Sequence, residues 1–215
     1  MTSLKTLLVG SGLLAFMAVG AVAADMDGAY QNDWSGLYIG LQGGGIIGEG
    51  DANIPLYPSS FGIDPSGFAG GIYAGYDYMM TPGLLLGLEG DFSGVSADKK
   101  EPSGFPGELY HLKQYWDASI RVRLGMPMGN MLPYVTGGVA VTRLGTRYIP
   151  GFSWDKKTKA GWTIGAGLEM QITENLTGRL QYRYADYGKA NFMHAGPSSV
   201  DYSAHIIQAG FGFRF

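Results

Sequence analysis

Residues Tyr202–Phe215 read YSAHIIQAGFGFRF, and their two interleaved sets have different chemistry. Counting back in twos from Phe215 gives Phe213, Phe211, Ala209 and Ile207, whereas the set between them is Arg214, Gly212, Gly210 and Gln208. Strict period-2 alternation of this kind marks a β-strand whose faces meet different surroundings. A strand must pair on both edges or leave a row of unsatisfied amides, and in lipid the sheet without edges is a closed barrel. The spacing therefore predicts a barrel closed by this strand.

Composition points the same way. The 215 residues include 36 glycines and no cysteine, and 15% are charged, where a soluble domain carries roughly 25% charge. Low charge with near-zero mean hydropathy suits strands whose apolar and polar residues cancel in the average. Residues 1–23 read as a cleaved signal peptide: Lys5, an uncharged run from Leu7 to Val22, then the small-x-small sequence Ala21-Val22-Ala23. Removing Lys5 with it leaves fourteen basic residues against eighteen acids, a net charge of −4. No basic patch survives to suggest nucleic acid as a partner. Residues 24–33 are expected to be a short periplasmic segment and residues 34–215 the barrel.

Eight stretches alternate: Trp34–Ile46, Gly67–Tyr78, Leu84–Ser93, Tyr115–Met126, Pro133–Arg143, Ala160–Ile172, Leu176–Tyr187 and Tyr202–Phe215. The connections between them alternate as well. Segments 47–66, 94–114, 144–159 and 188–201 are long and rich in Pro, Gly, Ser and charge, whereas 79–83, 127–132 and 173–175 are short. An even number of antiparallel up-and-down strands with short periplasmic turns and long outer loops is the pattern of an outer-membrane barrel. Outward aromatics then fall into two girdles, with Tyr76 and Tyr78 beside Phe213 and Phe215 at the periplasmic rim. Trp116, Trp162 and Tyr184, with Phe92, form the outer girdle. The inward set holds Asp77, Glu89, Asp91, Asp117 and Glu169 against Arg121, Arg123, Arg179, Arg183 and Arg214. Eight strands enclose a space just wide enough for such side chains, so a plugging charge network is expected. Register from the short turns puts Glu169 opposite Arg179 and Glu89 near Arg121. The pairs Gly43-Gly44, Gly70-Gly71 and Gly137-Gly138 read as room for bulky neighbours inside a narrow barrel.

The stretches WSGLYIGLQGG, GLEGDFSG, IRVRLG, LPYVTGGVAV, GWTIGAGLEMQITENLTGRLQYRYADYG and AGFGFRF together resemble the small alphaproteobacterial outer-membrane surface-antigen proteins. These belong to the opacity-protein-like group of eight-stranded barrels often labelled "porin family". The resemblance runs from Trp34 to Phe215 and departs in the loops and at Gln181, where such proteins often carry an acid. It implies that Phe211, Phe213 and Phe215 form the signal read by the barrel-assembly machinery. It also implies outer-membrane lipid and lipopolysaccharide as surroundings, and a host or surface ligand for the loops.

No catalytic constellation stands out. Ser198, His194 and Asp201 could be grouped, but any serine-rich loop offers that set, and no nucleophile, base and orienting acid occur at a fixed spacing. No metal site and no cofactor are expected, and the protein reads as a structural, surface-exposed, non-enzymatic barrel contributing to envelope integrity. The alternatives are a narrow small-solute porin or a haem-binding or other ligand-binding surface protein. For haem the candidate ligands are Tyr110-His111 and Met193-His194, expected on the second and fourth outer loops. Phe215 anchors the closing strand at the interface, so deleting it should lower the amount of assembled protein in the outer membrane more than deleting a loop. Quantitative blotting of outer-membrane fractions measures this, and unchanged levels would show that the terminus is dispensable.

Overall fold

The computed structural model describes residues 33–53, 61–102, 109–149, 154–193 and 197–215. The expected signal peptide and nearly all of the 24–33 segment lie outside them. Eight long strands make the wall: β1 (Gly36–Asn53), β3 (Ser66–Thr81), β4 (Leu84–Val95), β6 (Leu109–Gly125), β7 (Met131–Ile149), β8 (Asp155–Gln171), β9 (Leu176–Met193) and β10 (Pro197–Arg214). Two short pieces, β2 (Phe61–Gly62) and β5 (Asp98–Pro102), lie along the upper edges of β1 and β6. Each long strand pairs antiparallel with its chain neighbour, and β1 closes the ring by pairing β10 from Tyr38↔Arg214 to Asn53↔Ser199. The expected eight-stranded antiparallel up-and-down barrel is borne out, with the terminal strand as its closing element.

The faces follow the alternation. Ile207, Phe211, Phe213 and Phe215 are exposed on the outside, Phe211 at 64%, whereas Gln208 and Arg214 are buried in the lumen. Exposed apolar side chains ring the lower wall on every strand, among them Leu37, Ile72, Leu88, Val122, Val135, Ile164 and Leu180. A soluble protein could not leave so large a band facing water, and a hydrocarbon layer requires it. The turns at the lower end are short. In one of them the Ile172 and Thr173 amides both donate to the Leu176 carbonyl, at 2.8 and 3.1 Å. Just before β1, the Ser35 amide donates to the Asp33 carboxylate at 2.8 Å and holds that carboxyl below its usual range.

The upper end corrects the reading of long loops. In their described residues, the segments expected as 47–66, 94–114, 144–159 and 188–201 are largely strand, because β1, β6, β7, β8, β9 and β10 run several residues past their expected upper limits. The reason is an inversion of the alternation. Low on β10, Ile207 and Phe211 face out, but higher up Ile206, Ala204, Tyr202 and Val200 are buried inside while Asp201 is exposed. Low on β7, Val135 and Val139 face out, but higher up Leu144 is fully buried and Arg143 exposed. Above the hydrocarbon boundary the outside is water, so apolar-out gives way to apolar-in while the hydrogen-bonded ladder continues. Among the described residues, sixteen buried apolar side chains of that upper half, including Ile46, Val95, Leu112, Leu144 and Val200, form one cluster.

The glycines are also used differently from expectation. A Cβ on Gly40 would run into the Tyr73 ring and one on Gly75 into the Tyr38 ring, so these two make the space for lumen aromatics. The three pairs do not. Gly44, Gly71 and Gly138 lie against backbone carbonyls of the adjacent strands, and Gly43 and Gly70 lie beneath the Phe68 ring. If the inversion sets the stability of the upper half, Leu144→Asp should lower the temperature at which the fast-migrating folded band disappears on unheated gels. A buried carboxyl without partners costs on the order of 3 kcal/mol or more. Thr158→Asp, on the exposed outer face and cross-strand from Arg143, should not lower that temperature.

The charged barrel interior as candidate functional site

Three layers fill the lumen. At the short-turn end Trp34, 1% exposed, packs with Leu85, Leu132 and Met79, and its indole N–H donates to the Gly129 carbonyl at 3.3 Å. At the other end sits the apolar cluster already described. Between them, among the described residues, five acids (Asp77, Glu89, Asp91, Asp117, Glu169) and five arginines (Arg121, Arg123, Arg179, Arg183, Arg214) are all buried.

The charges form connected groups along the axis. Nearest the floor, Arg214 donates to Asp77 at 2.5 Å and to the Trp34 carbonyl at 2.5 Å, and lies 3.5 Å from Glu169. Arg123 donates to Glu169 at 2.5 Å and lies 3.7 Å from Asp77 and 3.8 Å from Glu89. Glu89 is the hub. It accepts from Arg121 and Arg179, each at 2.6 Å, and from the Tyr38 hydroxyl at 3.0 Å. Arg121 also donates to Asp91 at 2.9 Å, which accepts from Ser119 as well. Higher still, Arg183 and the Tyr187 hydroxyl both donate to Asp117.

The strand register puts Glu89 directly opposite Arg121 and Glu169 directly opposite Arg179. Contact follows register in the first pair but not in the second. Arg179, on β9, reaches across the lumen to Glu89 on β4, and Glu169, on β8, is bonded by Arg123 on β6. A long guanidinium in a barrel this narrow spans the bore, so its partner is chosen by depth rather than by strand adjacency. The aromatic members were missing from the expected set. Arg179 lies over the Tyr73 ring, 3.3 Å from its centroid, Arg123 over Tyr134 at 3.9 Å, and Arg214 over Tyr38 at 4.9 Å. Their signal was in the sequence, since Tyr73 stands two residues before Gly75 and Tyr134 two before Thr136 on the inward phase. Gln42 and Gln208 complete the layer, with Gln42 bonded to Arg179, Asp91 and Ser93, and Gln208 to Ser93. Gln181 is buried in the same layer.

The other expected sites fall as follows. Tyr76, Tyr78, Phe213 and Phe215 face outward near the short turns, and Phe92 and Trp162 outward near the other rim. Trp116 stacks on Phe92 at 5.9 Å and Tyr184 lies 5.4 Å from Trp162. Tyr110 and His111 lie on strand β6 rather than in a loop. As consecutive strand residues they point to opposite sides: Tyr110 is buried in the lumen cluster, and His111 sits outside against Trp154, with its Nε2 3.1 Å from Asp98. The two cannot converge on one iron. His194 lies outside the described residues.

Residues 11–215 match the family model for the outer membrane protein beta-barrel domain. The chain belongs to that family. Among its relatives, the 25 kDa outer-membrane immunogenic protein of Brucella abortus biovar 1 (strain 9-941) is 32% identical over 227 residues, covering 100% of both chains. The 22 kDa outer membrane protein of Rhizobium leguminosarum bv. viciae is 32% identical over 185 residues, covering 85% of this chain and 78% of its own. Among solved structures, Neisserial surface protein A has a TM-score of 0.53 at 18% identity, covering 88% of this chain and 100% of that one. OprG of Pseudomonas aeruginosa has a TM-score of 0.51 at 17% identity, covering 86% and 98%. These two share the fold, and the family members locate this barrel in the outer membrane.

Coupling between the charges is testable at the pair with fewest other partners. Among the described residues, Arg183 and Asp117 bond each other, with only Tyr187 and a 4.0 Å approach to Asp91 beside them. Arg183→Met alone strands a buried carboxylate and should destabilise the barrel by roughly 3–5 kcal/mol. Adding Asp117→Leu should recover part of that loss, with a coupling on the order of 1 kcal/mol or more in urea titrations of the detergent-folded barrel. Additive losses would show the two charges act independently. Glu89→Ala should not rescue Arg121→Ala in the same way, because it also strands Arg179.

Proposed function

We propose that this is a structural, surface-exposed, non-enzymatic outer-membrane barrel that contributes to envelope integrity and keeps its lumen closed to solutes. The observation that carries the reading is the filling of the lumen at three successive depths, by Trp34 with Leu85 and Leu132, by ten charged side chains, and by the upper apolar cluster. A permeable channel needs a continuous polar path, and each apolar layer interrupts one. The charged layer is neutral in sum and has its carboxylates bonded, so it presents no net field to draw a small ion through. The barrel in this reading is a rigid anchor: paired backbone on every long strand resists opening, and the upper half carries the loops away from the lipid. The relatives named as immunogenic outer-membrane proteins support the surface-exposed part of the reading.

Purified protein in planar bilayers should give no steady conductance at moderate voltage. Glu89→Ala with Trp34→Gly, which loosens two of the three layers, should give a measurable leak. A large steady conductance in the unmutated protein would overturn the closed lumen and favour the narrow porin.

A further inference from the structure

The rim above the outer girdle is electrically lopsided. A β-bulge at Gln114/Trp116 on β6 sets Tyr115 and Trp116 successively on the outer wall. Around Tyr115 stand Lys113, 5.5 Å from its ring centroid, and Lys156 at 4.8 Å, with Trp154 at 6.0 Å. Arg147 lies over the Trp154 ring at 4.8 Å, and Arg143 shares a row with Trp116 and Thr158. Among the described residues none of these four cations forms an ion pair; the nearby acids Asp98 and Asp155 are taken up by His111 and Lys157. The opposite wall carries Glu49, Asp51, Asp186 and Asp201, with Asp51 and Asp201 directly cross-strand and Lys189 facing Asp201. That wall repels an anion.

The lipid-facing surface changes shape just beneath the cations. In the row below Trp116 and Arg143, Ala118 stands between Phe92 and Val141. Its short side chain borders one end of a hollow of about 430 Å³ that runs from Val141 on β7 past Ala118 and Phe92 to Ile72 on β3 and Ile39 on β1. Successive outward rows are about 7 Å apart, so one molecule could lay an anionic head on the cations and an acyl chain in the hollow. We propose that this wall, with its cations over β6, β7 and β8 and the hollow running from β7 toward β1 beneath them, binds one phosphorylated and acylated lipid of the outer leaflet, of the lipopolysaccharide type. Phosphates sit among Arg143, Arg147, Lys113 and Lys156, the sugar lies against Tyr115 and Trp154, and one acyl chain fills the hollow. The assignment rests on the outer-membrane location and is independent of whether the lumen conducts.

Native mass spectrometry of protein extracted from outer membranes, titrated with diphosphoryl lipid A, should show one retained lipid. Neutralising two cations, Arg143→Gln with Lys156→Gln, should weaken retention roughly tenfold or more. Ala118→Trp, which blocks the end of the hollow nearest the cations and leaves every charge in place, should also weaken it, and Lys189→Gln on the far wall should not. Unheated gel mobility reports folding in each case, and Ala118→Trp decides the matter should the glutamine variant fail to fold. Wild-type retention in a folded variant of either kind overturns the proposal. So does displacement of lipid A by a sulfated polysaccharide that binds Ala118→Trp as tightly as wild type, which would make the wall a site for soluble polyanions.

Discussion

Glu89 and the two arginines it holds express the constraint on which the structure depends: charge placed in a closed lumen must be matched there. An isolated ion moved from water into such a space costs several kcal/mol, and a partner at hydrogen-bond distance offsets that cost only if the remaining lone pairs are also used. Glu89 meets the condition with Arg121, Arg179 and Tyr38. The requirement then propagates: Arg121 needs Asp91, Arg179 needs Gln42, and Arg123 at 3.8 Å links the hub to Glu169 and the floor. Five strands contribute to this one cluster, so their relative heights are tied by side chains as well as by the backbone ladder.

The same barrel solves two opposite solvation problems along its length. In the lower half lipid lies outside, so apolar residues turn out and the polar set must satisfy itself inside. In the upper half water lies outside, so Leu112, Leu144 and Val200 turn in and lysines, arginines and acids turn out. The upper half is built like a small soluble barrel standing on a membrane one. Gln114 marks the junction, bonded inside to Thr142 and to the Tyr202 hydroxyl where charge gives way to apolar packing. The junction is also where Trp116 and Trp162 lie on the outside, as an interfacial anchor should.

Stacking the lumen layers has consequences for function that neither wall nor loops would have alone. Trp34 precedes β1, yet it closes the short-turn end through Arg214, which holds both its carbonyl and the face of its ring. The residue next to the carboxyl terminus thereby fastens the entry of the first strand, and the ring is sealed by side chains at the place where its two ends meet.

Strand number, the inward and outward phase of the lower half, the short turns and the ten charged lumen residues were all legible in the sequence. Each depends on period-2 alternation between two unlike solvents, which a one-dimensional pattern records directly. The upper strand extensions were not legible, because the alternation inverts there and an inverted phase beside polar, glycine-rich stretches reads as loop. The partners of Glu169 and Arg179 were not legible either. Register fixes which residues are adjacent on the wall, but a guanidinium that crosses the bore selects its carboxylate by depth, and depth around a closed, staggered sheet exists only once the ring has formed. Tyr73, Tyr134 and Trp34 likewise acquire their roles as ring faces and floor from that closure, since only the curved wall brings them beside the arginines they cover.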